Sequence, residues 1–405
     1  MLNENTFIGK LSVYSLCGYI LSLFIFAYHA QLIIISELLF IIFTVTTTLK
    51  ILKTKIIKKN NFYIIVISLF SITLLSTIWA LEPSLAISSN YKILQLFILM
   101  FLVYQSVTSV EDVELCIKSI CVGGLIMLIY SLYFYGLDYL LIALQNGYRL
   151  GGEINHENAF GYYSVITFII LIYYAVFMKK WYLYLISLFP LLFAISSGSR
   201  RSFLLIIIGL FLIMWLTSVI KKKNLKLFMY LGVSILLSPI LFEVIQTNQS
   251  LYRVNFLFNF LTGQGFVDSS ILTRQKMLVF GWELFKERPI LGHGIQQYLV
   301  HYNMNFGSYT PAHNQYIQIL VEMGIVGFIL YYSLFIIIIL GLWKIIKRNR
   351  KIHSAIVLMV IIILHLVSDF TKNSISDKFT YIYLGLCFAL IHTVTYKINR
   401  KKSEI

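Results

Sequence analysis

Long apolar runs recur along the whole chain, and they constrain its fold more than any other feature. Each run has roughly 17–25 residues, the length that a helix needs to cross about 30 Å of hydrocarbon. Backbone polar groups cannot stay unpaired in lipid, so such runs form helices. Hydrophobic residues make up 59% of the 405 positions and charged residues only 12%, which excludes a soluble globular protein. We therefore expect an all-α, polytopic membrane protein.

The apolar runs fall into two groups, separated by one long polar interruption. About nine spans are expected in residues 1–243 and about three in residues 315–405, with a large external loop at 244–314 that contains short amphipathic helices. The twelve predicted spans are 8–28, 31–49, 62–80, 93–109, 117–136, 158–178, 181–198, 202–220, 225–243, 315–340, 353–370 and 378–396.

The Lys and Arg residues of the short loops predict the orientation of the spans, because such residues concentrate in the cytoplasm. Most of the 33 Lys and Arg residues lie on one side of the predicted bundle, in clusters at 50–59, 179–180, 221–226, 344–351 and 397–402. The net charge of +16 is then a topology signal, and no nucleic-acid partner is expected. Basic residues on the other side need a different explanation, and we expect them to hold something anionic.

The first candidate site on that other side is the corner Ser196-Ser197-Gly198-Ser199-Arg200-Arg201-Ser202, which joins two apolar runs. Small residues allow a tight turn, and Arg200 and Arg201 then stand at the mouth of the helices. The guanidinium fork matches phosphate with paired hydrogen bonds. The alternative is that both side chains merely reach from the interface to water.

Arg274 lies on a predicted amphipathic helix over residues 272–286. The apolar stripe of this helix consists of Leu278, Gly281, Trp282 and Phe285. Arg274 precedes Leu278 by four residues, so we expect it to point inward with the stripe. An inward arginine needs an anionic partner, which is either a bound anion or the carboxylate of Glu243 or Asp268.

His313 stands where the chain re-enters an apolar helix. Histidine is the side chain best suited to proton transfer near neutral pH, and the positive end of a helix dipole favours its neutral form. The alternative is a capping or interfacial histidine. Glu322 follows nine residues later and is about half a turn out of phase, so we expect it to face another span rather than to orient His313.

Several further polar residues flank the predicted spans on the same side. Arg149, in Tyr148-Arg149-Leu150-Gly151-Gly152, precedes Asn158, a predicted helix N-cap. Arg288 follows the Arg274 helix and is expected to be solvated. Asp369 ends the eleventh span, where it could pair with an arginine or His313, or merely cap the loop. The four cysteines show no ligand spacing, so we expect neither a metal site nor a disulfide framework.

Taken together, these segments resemble the O-antigen ligase and polymerase superfamily of bacterial membrane glycosyltransferases. The matching features are the Ser196–Ser202 corner, Arg274 followed by Trp282, Pro289 and Gly292-His293-Gly294, His313-Asn314 before Glu322, Gly324 and Gly327, Arg149-Leu150-Gly151-Gly152 before Asn158-Ala159-Phe160-Gly161, and Trp79-Ala80-Leu81-Glu82-Pro83. Their order agrees over roughly residues 75–375.

The resemblance implies a multi-pass enzyme of the bacterial plasma (inner) membrane whose active site faces the periplasm or the cell exterior. It would need no cofactor or metal, and it would move a glycan from undecaprenyl pyrophosphate to an acceptor sugar, with inversion. Carried over by position, Arg200 or Arg201 and Arg274 hold the pyrophosphate, and His313 is the base. Arg149, Arg288, Glu322 and Asp369 are supporting positions. The bilayer, a flippase and a chain-length regulator are expected partners.

Three functions remain open from the sequence. The first is a polymerase that joins repeat units of an O-antigen or capsule, and the second is a ligase that moves finished polymer onto lipid A core or another acceptor. The third is a flippase or transporter of lipid-linked oligosaccharides, which ought to bury polar residues at mid-span. The polar residues gather at the ends of the predicted spans instead, which favours an enzyme.

Overall fold

The structure, a computed structural model, describes residues 7–26, 31–146, 148–152, 154, 156–221, 269–349 and 352–403. In these residues the regular structure is helical. The α-helices are α1 Phe7–Ile25, α2 Ile33–Thr54, α3 Phe62–Leu75, α4 Pro83–Ser106, α5 Val110–Asn146, α6 Glu157–Met178, α7 Tyr182–Ser196, α8 Arg200–Lys221, α9 Ser269–Glu287, α10 Gln297–Phe306, α11 Gln315–Arg348, α12 Ser354–Ser368 and α13 Lys378–Ser403, and a 3-10 turn at Ser76–Trp79 extends α3.

Nine helical segments in the described part of the chain are long and apolar enough to cross a membrane. They lie in α1 to α6, α8, α11 and α13, and α7 and α12 are shorter apolar helices of 15 residues each. The prediction of an all-α polytopic membrane protein is therefore confirmed. The predicted span 225–243 lies outside the described residues, so the count of twelve stays a prediction.

Helix boundaries and breaks differ from the predicted spans where a single proline or glycine determines them. α4 begins at Pro83, ten residues before the predicted start at residue 93, because proline is favoured in the first turn of a helix. α11 runs to Arg348 and is broken at Gly324, where φ is 61°. A β-carbon at that position would lie 2.2 Å from the Ile290 carbonyl oxygen, so only glycine allows the preceding loop to cross the helix.

Among the nine long apolar segments of the described residues, those in α6 and α13 are the most enclosed and that in α2 is the least enclosed. α6 packs against α5, α7 and α8, and α12 packs against α8, α11 and α13. This arrangement brings the first turns of α6 and α8 together with the end of α12. We call this region the cavity end of the bundle.

The segment between α9 and α10 fastens those two helices to the bundle. Trp79 Nε1 donates to the Gly292 carbonyl at 3.2 Å, and the Ile295 amide donates to Ser76 Oγ at 3.1 Å. The Gln297 side chain accepts from the Glu82 amide at 3.0 Å and donates to its carbonyl at 3.3 Å. These bonds join residues more than 200 positions apart and fix α9, which carries Arg274.

Candidate functional site

A cavity of about 520 Å³ lies at the cavity end, between the first turns of α6, α8 and α9 and the end of α12. Four arginines line it, namely Arg149, Arg200, Arg201 and Arg274. Apolar side chains complete the wall, among them Leu204, Leu278, Val367 and Phe370. A basic lining attracts anions and an apolar wall suits an apolar group, so the arrangement suits an anionic group attached to an apolar molecule.

The Ser196–Ser202 corner forms the floor of this cavity. α7 ends at Ser196 and α8 begins at Arg200, so only three residues make the turn. Gly198 has a φ of 58°, in the left-handed region that favours glycine. The turn puts two arginines in the first turn of α8, where the positive end of the helix dipole disfavours cations. A bound anion would remove that conflict, because helix N-termini attract phosphate.

Arg149 ties the corner to α6. Its Nε donates to the Ser197 carbonyl at 3.1 Å, and its Nη2 donates to Asn158 Oδ1 at 2.9 Å. Its Nη1 lies 3.7 Å from Glu157 Oε2. Much of the guanidinium fork is therefore used within the protein, which makes Arg149 a support for the corner rather than a free anion ligand.

The helix start beside Arg149 differs from the sequence prediction. α6 begins at Glu157, and its N-cap is His156, whose Nδ1 accepts from the Asn158 amide at 3.3 Å. The prediction of Asn158 as the N-cap is therefore wrong. Because Asn158 lies inside the first turn, its side chain is available to accept from Arg149 instead.

Arg201 keeps a hydrogen-bonding group unused inside the protein. Its Nη2 donates to the Asn158 carbonyl, but its buried Nε has no hydrogen-bond partner among the described residues. A buried N–H without a partner costs free energy. A phosphate oxygen in the cavity would accept from this group.

Arg274 points into the cavity from α9, together with Leu278 one turn later. The predicted apolar stripe of this helix is only partly right. The buried positions are Met277, Gly281 and Leu284, and Trp282 is 47% exposed. The difference has a physical reason: the helix packs on α11 through its Met277 face, while the Leu278 face lines the cavity. Glu243 and Asp268, the intramolecular partners proposed for Arg274, lie outside the described residues.

His313 lies beside the cavity rather than on its wall. It precedes the N-cap of α11, because Asn314 occupies that position and accepts from the Ile317 amide at 3.1 Å. Its φ is 50°, a left-handed conformation that is strained for histidine and common at functional sites. Burial lowers the pKa of His313 below its ordinary value, and the nearby charges of Arg274 and His156 lower it further.

The loop that carries His313 is held from inside α11. The Ala312 amide donates to Gln318 Oε1 at 2.9 Å, and the Gln318 amide group donates to Glu322. Glu322 is 1% exposed, and its backbone carbonyl accepts from the Gly294 amide at 2.9 Å. The prediction that Glu322 faces another span is therefore wrong in part, because Glu322 reaches the His313 loop through Gln318.

Asp369 is fully buried at the end of α12. Its carbonyl accepts from the Gln315 amide at 2.8 Å, its Oδ2 accepts from the Tyr332 hydroxyl at 3.4 Å, and its Oδ1 lies 3.7 Å from His365 Nε2. The carboxylate thus faces His365, and the backbone fixes the start of α11 two residues after His313. Arg288, by contrast, is exposed beyond the end of α9 and does not line the cavity.

Comparison with known families bears directly on these residues. Residues 183–332 match the family model described as O-Antigen ligase. The predicted resemblance to the O-antigen ligase and polymerase superfamily is therefore confirmed over these residues, and the long apolar helices of the described residues indicate an integral membrane protein. No curated protein matches the chain.

The O-Antigen ligase match covers only part of the cavity. It begins in α7 and ends in α11, so it contains Arg200, Arg201, Arg274 and His313. Arg149 and Asp369 lie outside the matched residues. The described part of the chain holds no group of three or more His, Cys, Asp or Glu residues that could bind a metal ion.

Sequence reasoning missed a buried polar network next to this O-antigen ligase segment. The Tyr162 hydroxyl lies 3.4 Å from His365 Nδ1, and His365 Nε2 lies 3.2 Å from Thr380 Oγ1. Lys372 pairs with Asp377 in the loop after α12. His365 was the available signal, because an ionisable residue inside an apolar run is expensive and often functional. Tyr162 gave no such signal, since tyrosines within an apolar run usually indicate packing.

Proposed function

We propose that the protein is a polysaccharide polymerase for an O-antigen or a capsule. It transfers a glycan from an undecaprenyl-pyrophosphate carrier to the hydroxyl of an acceptor sugar at the external face of a bacterial plasma membrane. The observation that carries this proposal is the convergence of Arg200, Arg201 and Arg274 on one cavity beside His313. Arg200 and Arg274 are 74 residues apart in the sequence and belong to different helices.

The cavity fits the chemistry of such a donor. A pyrophosphate carries several negative charges, and guanidinium forks bind phosphate oxygens in pairs. The apolar wall formed by Leu204, Leu278 and Val367 suits the first isoprene units of the lipid. A flippase that delivers the donor and a chain-length regulator are the partners that this role requires.

The proposed reaction uses His313 as the base and the arginines as stabilising cations. His313 takes the proton of the acceptor hydroxyl, and the oxygen attacks the anomeric carbon from the face opposite the pyrophosphate. The new glycosidic bond forms as the bond to the pyrophosphate breaks, and the pyrophosphate leaves with the electron pair, so the anomeric centre inverts. The arginines stabilise the negative charge that grows on the leaving group, the role that a metal ion takes in other transferases.

A lowered pKa suits His313 to this role. Burial and the charge of Arg274 lower the pKa of His313 and so favour the neutral imidazole, and only the neutral form can accept a proton. The supporting hydrogen bonds of Ala312 and Asn314 hold the strained backbone on both sides of His313.

A reconstituted transfer assay tests the proposal. The purified full-length protein in liposomes should convert an undecaprenyl-pyrophosphate-linked repeat unit into longer carrier-linked chains and free undecaprenyl pyrophosphate. The variant His313→Ala should be inserted normally and lose this activity. Transfer at the wild-type rate in His313→Ala would remove His313 as the base, and translocation of the donor without any new glycosidic bond would identify a flippase.

An O-antigen ligase is the second candidate, and the description of the matching family favours it. The same cavity would bind a carrier-linked polymer, and the acceptor would be lipid A core or another glycan. Extracts of a deletion strain separate the two functions. Single repeat units in place of long chains indicate a polymerase, whereas intact long chains that stay on the carrier indicate a ligase.

A further inference from the structure

Arg201 is held in the cavity by an aromatic ring. Its Cζ lies 5.7 Å from the ring centre of Tyr162, a residue of α6 that is only 1% exposed. Among the residues that the structure describes, no carboxylate lies within 4.0 Å of the Arg201 guanidinium. The inner contacts of this cation are therefore the Tyr162 ring and the Asn158 carbonyl.

A ring and a carboxylate hold a cation with different consequences. A carboxylate carries a full negative charge and cancels most of the field that the arginine produces. An aromatic ring attracts the cation through its quadrupole and has no net charge. A guanidinium on a tyrosine ring thus has a fixed position and keeps its positive charge for a ligand.

A second cation, Lys372, contacts the same ring, but it is paired with a carboxylate. Lys372 Nζ lies 5.2 Å from the ring centre of Tyr162 and forms an ion pair with Asp377. Asp377 therefore offsets the charge of Lys372, and it also limits the repulsion between Lys372 and Arg201. Of the two cations on this ring, Arg201 is the one whose charge stays available.

The Tyr162 ring itself is fixed by its surroundings. Its hydroxyl lies 3.4 Å from His365 Nδ1, and the His365 ring packs parallel to Phe335, with 5.9 Å between the ring centres. The ring edge also meets Tyr163 at a centre distance of 5.6 Å. A fixed ring defines where the guanidinium lies, which a flexible contact would not do.

We propose that Tyr162 is a positioning residue that holds Arg201 against its ring, so that the uncompensated guanidinium binds the pyrophosphate of the lipid-linked donor. The inference rests on the proposed function. The Tyr162 ring contacts the guanidinium, and its packing against Tyr163 does not need the hydroxyl, so Phe should replace Tyr162 and an aliphatic residue should not.

The test compares the variants Tyr162→Phe and Tyr162→Leu in the full-length protein in nanodiscs, with undecaprenyl pyrophosphate as the probe. A desolvated cation–π contact corresponds to a loss of affinity on the order of 30-fold, which we expect for Tyr162→Leu. Tyr162→Phe should bind within about twofold of the wild type. The matched control is Tyr19→Leu, the same change at a residue that is 3% exposed and packs against Phe40 and Phe43.

Turnover adds a readout that a packing defect would not reproduce. With a carrier-linked repeat unit, Tyr162→Leu should raise KM more than it lowers kcat, and Tyr19→Leu should change neither. Wild-type affinity in Tyr162→Leu, together with lost affinity in Arg201→Gln, would overturn this inference and leave the proposed function intact. Wild-type affinity in Arg201→Gln would instead contradict the proposed function.

A graded series keeps the proposal testable if Tyr162→Leu does not fold. Phenylalanine analogues with one, two and three ring fluorines keep the size of the ring and weaken its quadrupole stepwise. The affinity for undecaprenyl pyrophosphate should then fall stepwise with fluorine number while the elution volume and thermal unfolding stay constant. The same affinity across the series would overturn the proposal.

Discussion

Two regions of the molecule each place a cation on a tyrosine ring, and the two cations differ in their other contacts. Lys58 Nζ lies 5.4 Å from the ring centre of Tyr104, and Arg201 Cζ lies 5.7 Å from that of Tyr162. The Lys58 ammonium also donates to the carbonyls of Tyr104, at 2.8 Å, and Val107. Arg201 has a buried Nε without a hydrogen-bond partner among the described residues.

The two cations differ in their hydrogen bonds and in the end of the helix at which they lie. The last carbonyls of α4 have no partner within their own helix, and cations are favoured at this end of the helix dipole. Lys58 and Lys50 satisfy those carbonyls, since Lys50 Nζ lies 2.5 Å from the Ser106 carbonyl oxygen. At the cavity end, Arg200 and Arg201 stand at the start of α8 instead, where the helix dipole opposes cations and favours anions.

The largest expected effect is the loss of turnover in Arg201→Gln. Removing one electrostatic stabiliser typically lowers the rate about 10²–10³-fold, and glutamine supplies hydrogen bonds without the charge. The matched change Lys58→Gln should leave the turnover of each folded molecule near the wild-type value. Equal fractional losses of activity in Arg201→Gln and Lys58→Gln in the reconstituted transfer assay would contradict the difference in role between Arg201 and Lys58.

Arg274→Gln should shift the pH dependence of the reaction as well as slow it. Burial and the charge of Arg274 both hold the pKa of His313 below its ordinary value, so loss of the Arg274 guanidinium raises that pKa. The neutral base then becomes protonated at a higher pH, and the acidic limb of kcat/KM should move to higher pH. Arg274→Lys keeps the positive charge, so the acidic limb of its kcat/KM profile should stay at the wild-type pH. An acidic limb at the wild-type pH in Arg274→Gln would contradict the proposed effect of the Arg274 charge on the pKa of His313.

Lys58→Met should lower the free energy of unfolding and leave the transfer rate of the folded protein unchanged. The carbonyls of Tyr104 and Val107 would lose their donor, which costs about 1–3 kcal/mol in the free energy of unfolding. Lys59→Met is the control, because Lys59 is exposed in the same loop and surface changes usually stay within about 0.5 kcal/mol. Denaturant unfolding in detergent measures both values, and equal stability of the two variants would show that Lys58 is not a structural cation.

The smallest expected effect is that of Arg288→Gln. Arg288 is exposed beyond the end of α9 and outside the cavity, so transfer should stay within about twofold of the wild type. A loss as large as that of Arg274→Gln would mean that the cavity described by this structure is not the whole anion site.

The fold was largely predictable, because the apolar runs that determine it are visible in the sequence. Apolar runs long enough to cross a bilayer must be helices, and α1 to α8 and α11 to α13 follow them. Boundaries were less predictable where one residue decides them. Pro83 starts α4 well before the apolar run, and Gly324 breaks α11 because the Ile290 loop crosses it.

The candidate site was predictable in its residue types but not in its contacts. Arginines beside apolar helices are costly enough to be noticed in a sequence, and Arg149, Arg200, Arg201 and Arg274 all line the cavity. Sequence spacing could not show that Arg149 is held by Ser197, Asn158 and Glu157. These contacts join α6 to a corner about 40 residues away, and only tertiary packing creates them.

A binding measurement tests most directly whether the arginines bind the pyrophosphate while His313 acts only in proton transfer. Undecaprenyl pyrophosphate and undecaprenyl monophosphate would be titrated into the purified protein in nanodiscs and into the variants Arg201→Gln, Arg274→Gln and His313→Ala. The wild type and His313→Ala should bind the pyrophosphate more tightly than the monophosphate, and both arginine variants should lose that preference. An undiminished preference in Arg201→Gln and Arg274→Gln would contradict the assignment of this cavity to the pyrophosphate.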